Sequence, residues 1–358
     1  MEKFYILCIN PGSTSTKLAV FENENLLFQE NSSHKLEELK RFKRVIEQYE
    51  MRKKAIIDFL NKNNFPFEKL SALGCRGGTL YPLPSGTYII NEKMVEDCKT
   101  SKFGEHPANL APILGYEFSK IYNLKAFIVD PPSTDEMDPI AKYTGLPIFK
   151  RKSLFHALNQ KAIARKIAKN LSKNYEDLNL IVAHLGGGIS IGIHSEGKVI
   201  DVNNALDGEG PMTPERAGTL PAGDLVKLCF SGEYELEIFQ KMMVGKGGWI
   251  AYLGTNDARE VEKKIQEGDK LAEEIVKATA YQIAKFIGSL APVVKGRIDA
   301  IVLTGSLAYY TRLVEDIKER VEFIAPVFVY PGEEEMKALC EGVLRVLKGE
   351  EKAKVYTY

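Results

Sequence analysis

The apolar run Phe4 to Ile9 stops at the polar turn Asn10-Pro11-Gly12-Ser13, and a second apolar stretch follows from Leu18 to Phe21. Short apolar runs bounded by Gly and Pro predict buried strands, here a hairpin with a polar tip. The pattern returns in the second half: Leu180 to Ala183, the turn Leu185-Gly186-Gly187-Gly188, then Ile189 to Ile193. The two hairpins superpose at one constant offset of nearly half the chain, pairing Gly12 with Gly187 and Ser15 with Ser190. Such an offset suggests two related domains, each opening with a glycine-bearing hairpin, although glycine-turned hairpins are also common in unrelated folds.

Between the hairpins, apolar residues recur at three and four positions over Leu36 to Asn61 and His156 to Leu171, which predicts helices able to cover a sheet face. Further strands are expected at Ala126 to Asp130 and Ile298 to Thr304. Helices are expected at Asp269 to Leu290, Ala308 to Val321 and Glu333 to Leu347. The pattern as a whole reads as a two-domain α/β protein with mixed sheets, divided near the basic connector Ile148 to Ser153.

Composition narrows the partners. At 358 residues the chain exceeds one ordinary core. Its 48 Lys plus Arg balance 48 Asp plus Glu, leaving no net field to hold a nucleic-acid backbone or an anionic bilayer, so any anion site must be local. The five cysteines are scattered and never spaced as C-x-x-C, which fits a reduced, cytoplasmic setting and argues against zinc. The first apolar run is too short for a signal peptide or a membrane span.

The candidate chemistry sits in the turns. Asn10-Pro11-Gly12-Ser13-Thr14-Ser15-Thr16-Lys17 gathers backbone N–H groups, four hydroxyls and an ammonium in one bend, the donors that phosphate oxygens take. A solvated Ser/Thr-rich turn has the same composition. A P-loop is excluded, because the GxxxxGK[ST] spacing is absent and a strand follows. His184-Leu185-Gly186-Gly187-Gly188-Ile189-Ser190 repeats the logic with three successive glycines, whose cost in chain entropy favours a binding role over packing. A histidine at a strand end is more often a structural hydrogen-bonder, and His184 taken alone reads that way.

The two tips together resemble the phosphate motifs of the acetate and sugar kinase, Hsp70 and actin superfamily, and within it the acetokinase family. Arg76 with Gly77-Gly78 resembles that family's arginine segment, and Glu105-His106-Pro107-Ala108-Asn109-Leu110 its HNPANL-type stretch. Asp130 after an apolar strand, Phe155-His156, Met212-Thr213-Pro214-Glu215 and Thr255-Asn256-Asp257-Ala258-Arg259 match further landmarks in order. Three departures point to the butyrate branch: Gly187 stands in place of an asparagine, Leu220 in place of an arginine, and Thr304-Gly305-Ser306-Leu307-Ala308 in place of a GIGEN loop.

The resemblance implies two duplicated ribonuclease H-like (actin-like ATPase) domains with mixed sheets flanked by helices and an interdomain cleft. Residues 1–152 with the returning C-terminal helix 332–358 would form one domain, and 153–331 the other, nucleotide-binding one. It implies reversible, in-line phosphorylation of butyrate or a short branched-chain carboxylate by ATP with Mg, giving acyl phosphate and ADP. Arg76 would hold the carboxylate and the γ-phosphoryl group, His156 would stabilise the transition state, and Asp130 would hold Arg76 or water on the metal. Asn10, Gly12, Ser13, Thr14, Ser15 and Lys17 would cradle phosphate with His184, Gly186, Gly187 and Gly188. Asp257, Arg259, Gly305 and Ser306 would meet the nucleoside, and Asn10 with Glu334 or Glu335 the metal. A homodimer or higher homo-oligomer is expected on the same ground. Acetate or propionate as substrate stays open, as does a nucleotide-switched, actin- or Hsp70-like protein.

Overall fold

A computed structural model describes residues 2–358 and divides the chain into two compact units, Met1–Thr134 with Glu334–Tyr358 and Asp135–Glu333. In the first unit the strands are β1 (Tyr5–Pro11), β2 (Ser15–Glu22), β3 (Asn25–Ser33), β4 (Ala72–Arg76), β5 (Thr87–Ile89) and β6 (Lys125–Val129). They form a sheet ordered β5-β6-β4-β1-β2-β3, to which the short strand Lys354–Val355 adds beyond β5. β1, β2 and β3 make an antiparallel meander, while β4 and β6 run parallel to β1. Leu7, Ile9, Leu73 and Cys75 pack in one apolar cluster with residues of the helices Tyr49–Lys62, Glu92–Lys99 and Leu110–Ile121. The helix Glu335–Leu347 lies against β1, β4 and β6, close enough that a Cβ on Gly342 would sit 2.4 Å from the Val129 side chain.

The second unit carries β7 (Leu180–Leu185), β8 (Ile189–Ser195), β9 (Lys198–Val202), β10 (Ala300–Gly305) and β11 (Val327–Pro331), ordered β11-β10-β7-β8-β9. β7, β8 and β9 again form an antiparallel meander, and β10 and β11 run parallel to β7. The order is that of β6-β4-β1-β2-β3 repeated, so the duplication read from the hairpins is written in the topology. β7 is apolar at nearly every position because both its faces are covered. Ile181, Ala183 and Leu185 pack with the helices Lys270–Leu290 and Thr311–Val321. Leu180 and Val182 pack with residues of Ala157–Asn170.

Two sequence expectations give way to the structure. Residues 135–152 belong to the second unit: Met137 joins Phe155, Val199 and Val202 in one cluster, and Arg151 pairs with Asp201 at 2.8 Å and Glu209 at 3.3 Å. The helix expected over Leu36 to Asn61 is interrupted. Leu36–Leu39 is one turn, Arg44 is extended, and the main helix is Tyr49–Lys62. The carboxylates of Glu47 and Glu105 accept from the backbone N–H groups of Lys43 and Val45, giving the basic stretch between them a turn in place of a helix. Among the described residues no helix is long and apolar enough to cross a membrane, and all five cysteines are free.

Candidate active site

In a sheet with parallel strands, ligands collect at the carboxyl ends of those strands. Asn10, Arg76 and Asp130 stand at the carboxyl ends of β1, β4 and β6, three adjacent parallel strands of the first unit. Asn10 Nδ2 donates to Glu335 Oε2 at 2.7 Å, and Glu335 Oε1 lies 2.8 Å from Arg76 Nη1. Arg76 Nη1 is buried, and the approach of Glu335 lacks hydrogen-bond geometry. The guanidinium is thus neutralised without being fully satisfied. Glu335, of the two candidates, is the one bonded to Asn10. Asp130 is buried with a left-handed φ of 38°, an uncommon backbone for any residue but glycine. Its carboxylate accepts from the Gly86 backbone at 2.7 Å.

The glycines after Arg76 serve packing. A Cβ on Gly77 would lie 2.3 Å from Pro131 Cβ, and one on Gly78 2.4 Å from Asn109 Oδ1. The arginine segment, the Asn109 segment and the loop after β6 are thereby locked together. His106, from the same stretch, feels both its burial and the Arg76 charge, which push its pKa down.

At the β1–β2 tip, Gly12 N–H closes the turn onto Ser15 O at 2.8 Å, while Ser13, Thr14 and Lys17 are exposed. Beneath the tip lies Arg52, fully buried and not foreseen from the sequence. Its Nη1 donates to Ser15 O and Thr16 Oγ1, and its Nη2 to Gly12 O and Gln48 Oε1. The only available signal was the i, i+4 spacing of Gln48 and Arg52 on an otherwise amphipathic helix.

In the second unit, the His156 and His184 rings stack at 3.8 Å and 10°. His184 is held from both sides, Nδ1 by Asn159 Oδ1 at 2.7 Å and Nε2 by Glu333 Oε1 at 3.1 Å. His156 Nδ1 lies 2.9 Å from Ser190 Oγ, which also accepts from Gln160 Nε2.

The triple glycine is only partly a cradle. A Cβ on Gly188 would stand 2.1 Å from Arg216 Nη1, and one on Gly187 3.1 Å from the Glu215 carboxylate, so both glycines make room for side chains of the Met212-Thr213-Pro214-Glu215 segment and its next residue. Burial lowers the pKa of Arg216. Its Nη1 donates to Ala205 O, and its buried Nε has no hydrogen-bond partner. Gly305 has φ 90°, and a Cβ there would lie 2.3 Å from Leu185 O, so the β10–β7 contact by itself requires glycine.

Gly187, Asp257, Arg259, Glu262, Ser306 and Tyr310 do line one cavity of about 740 Å³. Asp257 caps the helix Ala258–Gln266 and chelates its own Arg259 at 2.6 Å; hydrogen bonds from that side chain and its backbone N–H pull the Asp257 carboxyl down to about 2. Glu262, bonded to Arg312 and Tyr310, is likewise held down to about 2, first by the Arg312 hydrogen bond.

A divalent cation that rides on phosphate oxygens and water needs only one or two protein oxygens. The Glu335 carboxylate and the Asn10 carboxamide, whose nitrogen is spent on Glu335, offer a set of that kind. Among the described residues there is no cluster of three His, Cys, Asp or Glu side chains for an all-protein site.

The acetokinase family model matches residues 141–325, just over half of the chain. An acetate kinase of Porphyromonas gingivalis is similar at a TM-score of 0.77 and 19% identity, covering 96% of this chain and 100% of that one. An acetate kinase of Entamoeba histolytica follows at 0.73 and 18%, covering 94% and 98%. A propionate kinase of Francisella tularensis gives 0.71 and 21%, covering 95% and 98%. These likenesses show the fold: mixed α/β, two sheets flanked by helices.

Proposed function

The chain belongs to the acetokinase family, and from that premise we propose that it transfers the γ-phosphoryl group of ATP to butyrate or a short branched-chain carboxylate. The observation that carries this reading is Arg76, an almost buried arginine at the end of a parallel strand whose Nη1 rests against Glu335 without a hydrogen bond. A planar guanidinium with an unspent donor suits a carboxylate, which it grips in a fork.

The acid arrives ionised at neutral pH, so no general base is required. What the reaction demands is that two mutually repelling anions be brought in line and the charge on the moving phosphoryl group be offset. Arg76 holds the carboxylate and meets the phosphoryl oxygens. His156, oriented by Ser190 on one ring nitrogen and by stacking on His184, donates to an equatorial oxygen of the transferring group. Gly12, Ser13, Thr14, Ser15 and Lys17 on one hairpin, and Gly186 and Gly187 on the other, take phosphate oxygens. The cavity at Asp257, Arg259 and Ser306 takes the nucleoside. Asn10 and Glu335, with Glu334 next in the chain, would hold a magnesium ion, which would supply positive charge to the phosphates. Asp130 braces this end of the sheet through Gly86. The protein works in the cytoplasm, as a homodimer or higher homo-oligomer.

Selectivity for butyrate rests on Leu220, an exposed apolar residue beside Thr219 that stands where the resemblance leads one to expect an arginine. Each buried methylene is worth about 0.8 kcal/mol, so the two that separate butyrate from acetate amount to about 1.6 kcal/mol, roughly 15-fold. Hydroxylamine trapping of acyl phosphate across acetate, propionate, butyrate and isobutyrate tests this. Butyrate or isobutyrate should lead acetate by about that factor, Leu220→Arg should narrow the gap, and Arg76→Ala should abolish trapping. An unaltered acid ranking in Leu220→Arg removes the role of Leu220. Full activity in Arg76→Ala removes the mechanism.

A further inference from the structure

Arg52 is a buried charge for which the transfer reaction as described has no use. Its side chain is fully inaccessible, and every group it bonds is neutral: two backbone carbonyls, a hydroxyl and a carboxamide. Among the described residues no carboxylate pairs with it, and its Nε is buried without a partner. Burial alone pulls its pKa to about 10, with no neighbouring acid to restore it, and it remains a cation at neutral pH. A lone buried guanidinium is costly unless some anion offsets it.

The geometry shows where that anion would be. Gly12 O and Ser15 O both point down at Arg52, at 2.8 and 2.6 Å. In a trans peptide the N–H lies opposite the C=O, so fixing the Gly12 carbonyl inward directs the Ser13 N–H outward. Ser13 and Thr14 are exposed at that outer side. Thr16 Oγ1, shared between Arg52 and His34 Nε2 at 2.8 Å, ties the same turn to the end of β3, where His34 N–H donates to Thr14 O. The turn is therefore held from beneath by one cation, with the Gly12 N–H spent on Ser15 O and the Ser13 N–H directed outward.

We infer that Arg52 is the positioning residue of the first glycine turn: it orients the turn's carbonyls inward, and its own uncompensated charge is offset by the phosphate chain of a nucleotide bound on the outer side. This rests on the reading of the hairpin as a phosphate cradle. Arg52 does not touch the nucleotide, and its contribution is confined to the phosphates.

The test measures equilibrium binding of ATP, adenosine and tripolyphosphate to the wild-type chain, Arg52→Gln and Arg52→Lys, with circular dichroism as the fold control. Arg52→Gln should weaken ATP and tripolyphosphate at least tenfold while leaving adenosine within twofold, a split that general loosening of the fold would not give. Arg52→Lys keeps the charge but cannot fork across the two carbonyls, and should fall between. An ATP-to-adenosine affinity ratio equal to wild type in Arg52→Gln overturns the inference. Should that variant not fold, the same equality in Arg52→Lys overturns it. A wild-type chain that binds adenosine and ATP equally well also overturns it. If the wild type binds neither, the kinase reading itself fails, and this one with it.

Discussion

Glu262 illustrates how a single side chain sets a measurable property. Its carboxyl is held down to about 2 by Arg312 and Tyr310, below the ordinary 4.5. A depressed carboxylate pKa contributes stability above the unfolded value that is lost as pH falls through the folded one, so the window runs from about pH 4.5 down to about 2. The pair is partly solvated, which limits the contribution to about 1 kcal/mol. Glu262→Gln should therefore lower Tm by about 2–4 °C at pH 7 and flatten its decline between pH 4.5 and 2. Identical Tm profiles for the two proteins would show the contact to be inert. Residues such as Glu262, Arg52 and Arg216 were not legible as site residues in the sequence, because each meets its partners only through the fold. Asn10 stands out in the sequence because it ends a short apolar run at a Pro-Gly turn, whereas Arg76 and His156 are marked as site candidates only by the family resemblance of their segments.

At the scale of elements, glycine carried two messages that the sequence does not separate. One is open space: a Cβ on Gly12 would find only Ser15 within 4 Å. The other is close packing, which explains Gly77, Gly78, Gly188 and Gly305. Gly305→Ala adds a left-handed alanine to a 2.3 Å clash with Leu185 O, at about 2–4 kcal/mol for strain and overpacking together. A urea midpoint lowered by that free energy divided by the m-value is expected, and an unshifted one would contradict the reading of β10 against β7. Strands and long helices were visible by their periods: β7, β10, Ala157–Asn170 and Lys270–Leu290 fall within a few residues of the expected ranges. The break between Leu36–Leu39 and Tyr49–Lys62 was not, because it depends on Glu105 from a distant loop.

For the whole molecule, the repeated strand order explains why one hairpin pattern occurs twice in the sequence. Each unit places its glycine turn after its first strand, and each surrounds it with chemistry of a different kind. The first unit gathers Arg76, Asn10 and Glu335, a buried cation bridged through a carboxylate to a carboxamide. The second offers a cavity of nucleoside size and two stacked histidines. Residues 135–152 carry a basic, proline-containing stretch that looks like a linker in sequence, yet Lys142 and Arg151 are consumed by Asp135, Asp201 and Glu209 within the second unit. In the proposed reaction a carboxylate oxygen attacks the γ-phosphorus of ATP directly. Phosphorus-31 NMR of the protein with ATP, magnesium and butyrate tests it most directly. Direct attack predicts an acyl phosphate resonance growing in step with ADP and absent without the acid. ADP accompanied only by inorganic phosphate, at a rate indifferent to butyrate, would contradict it.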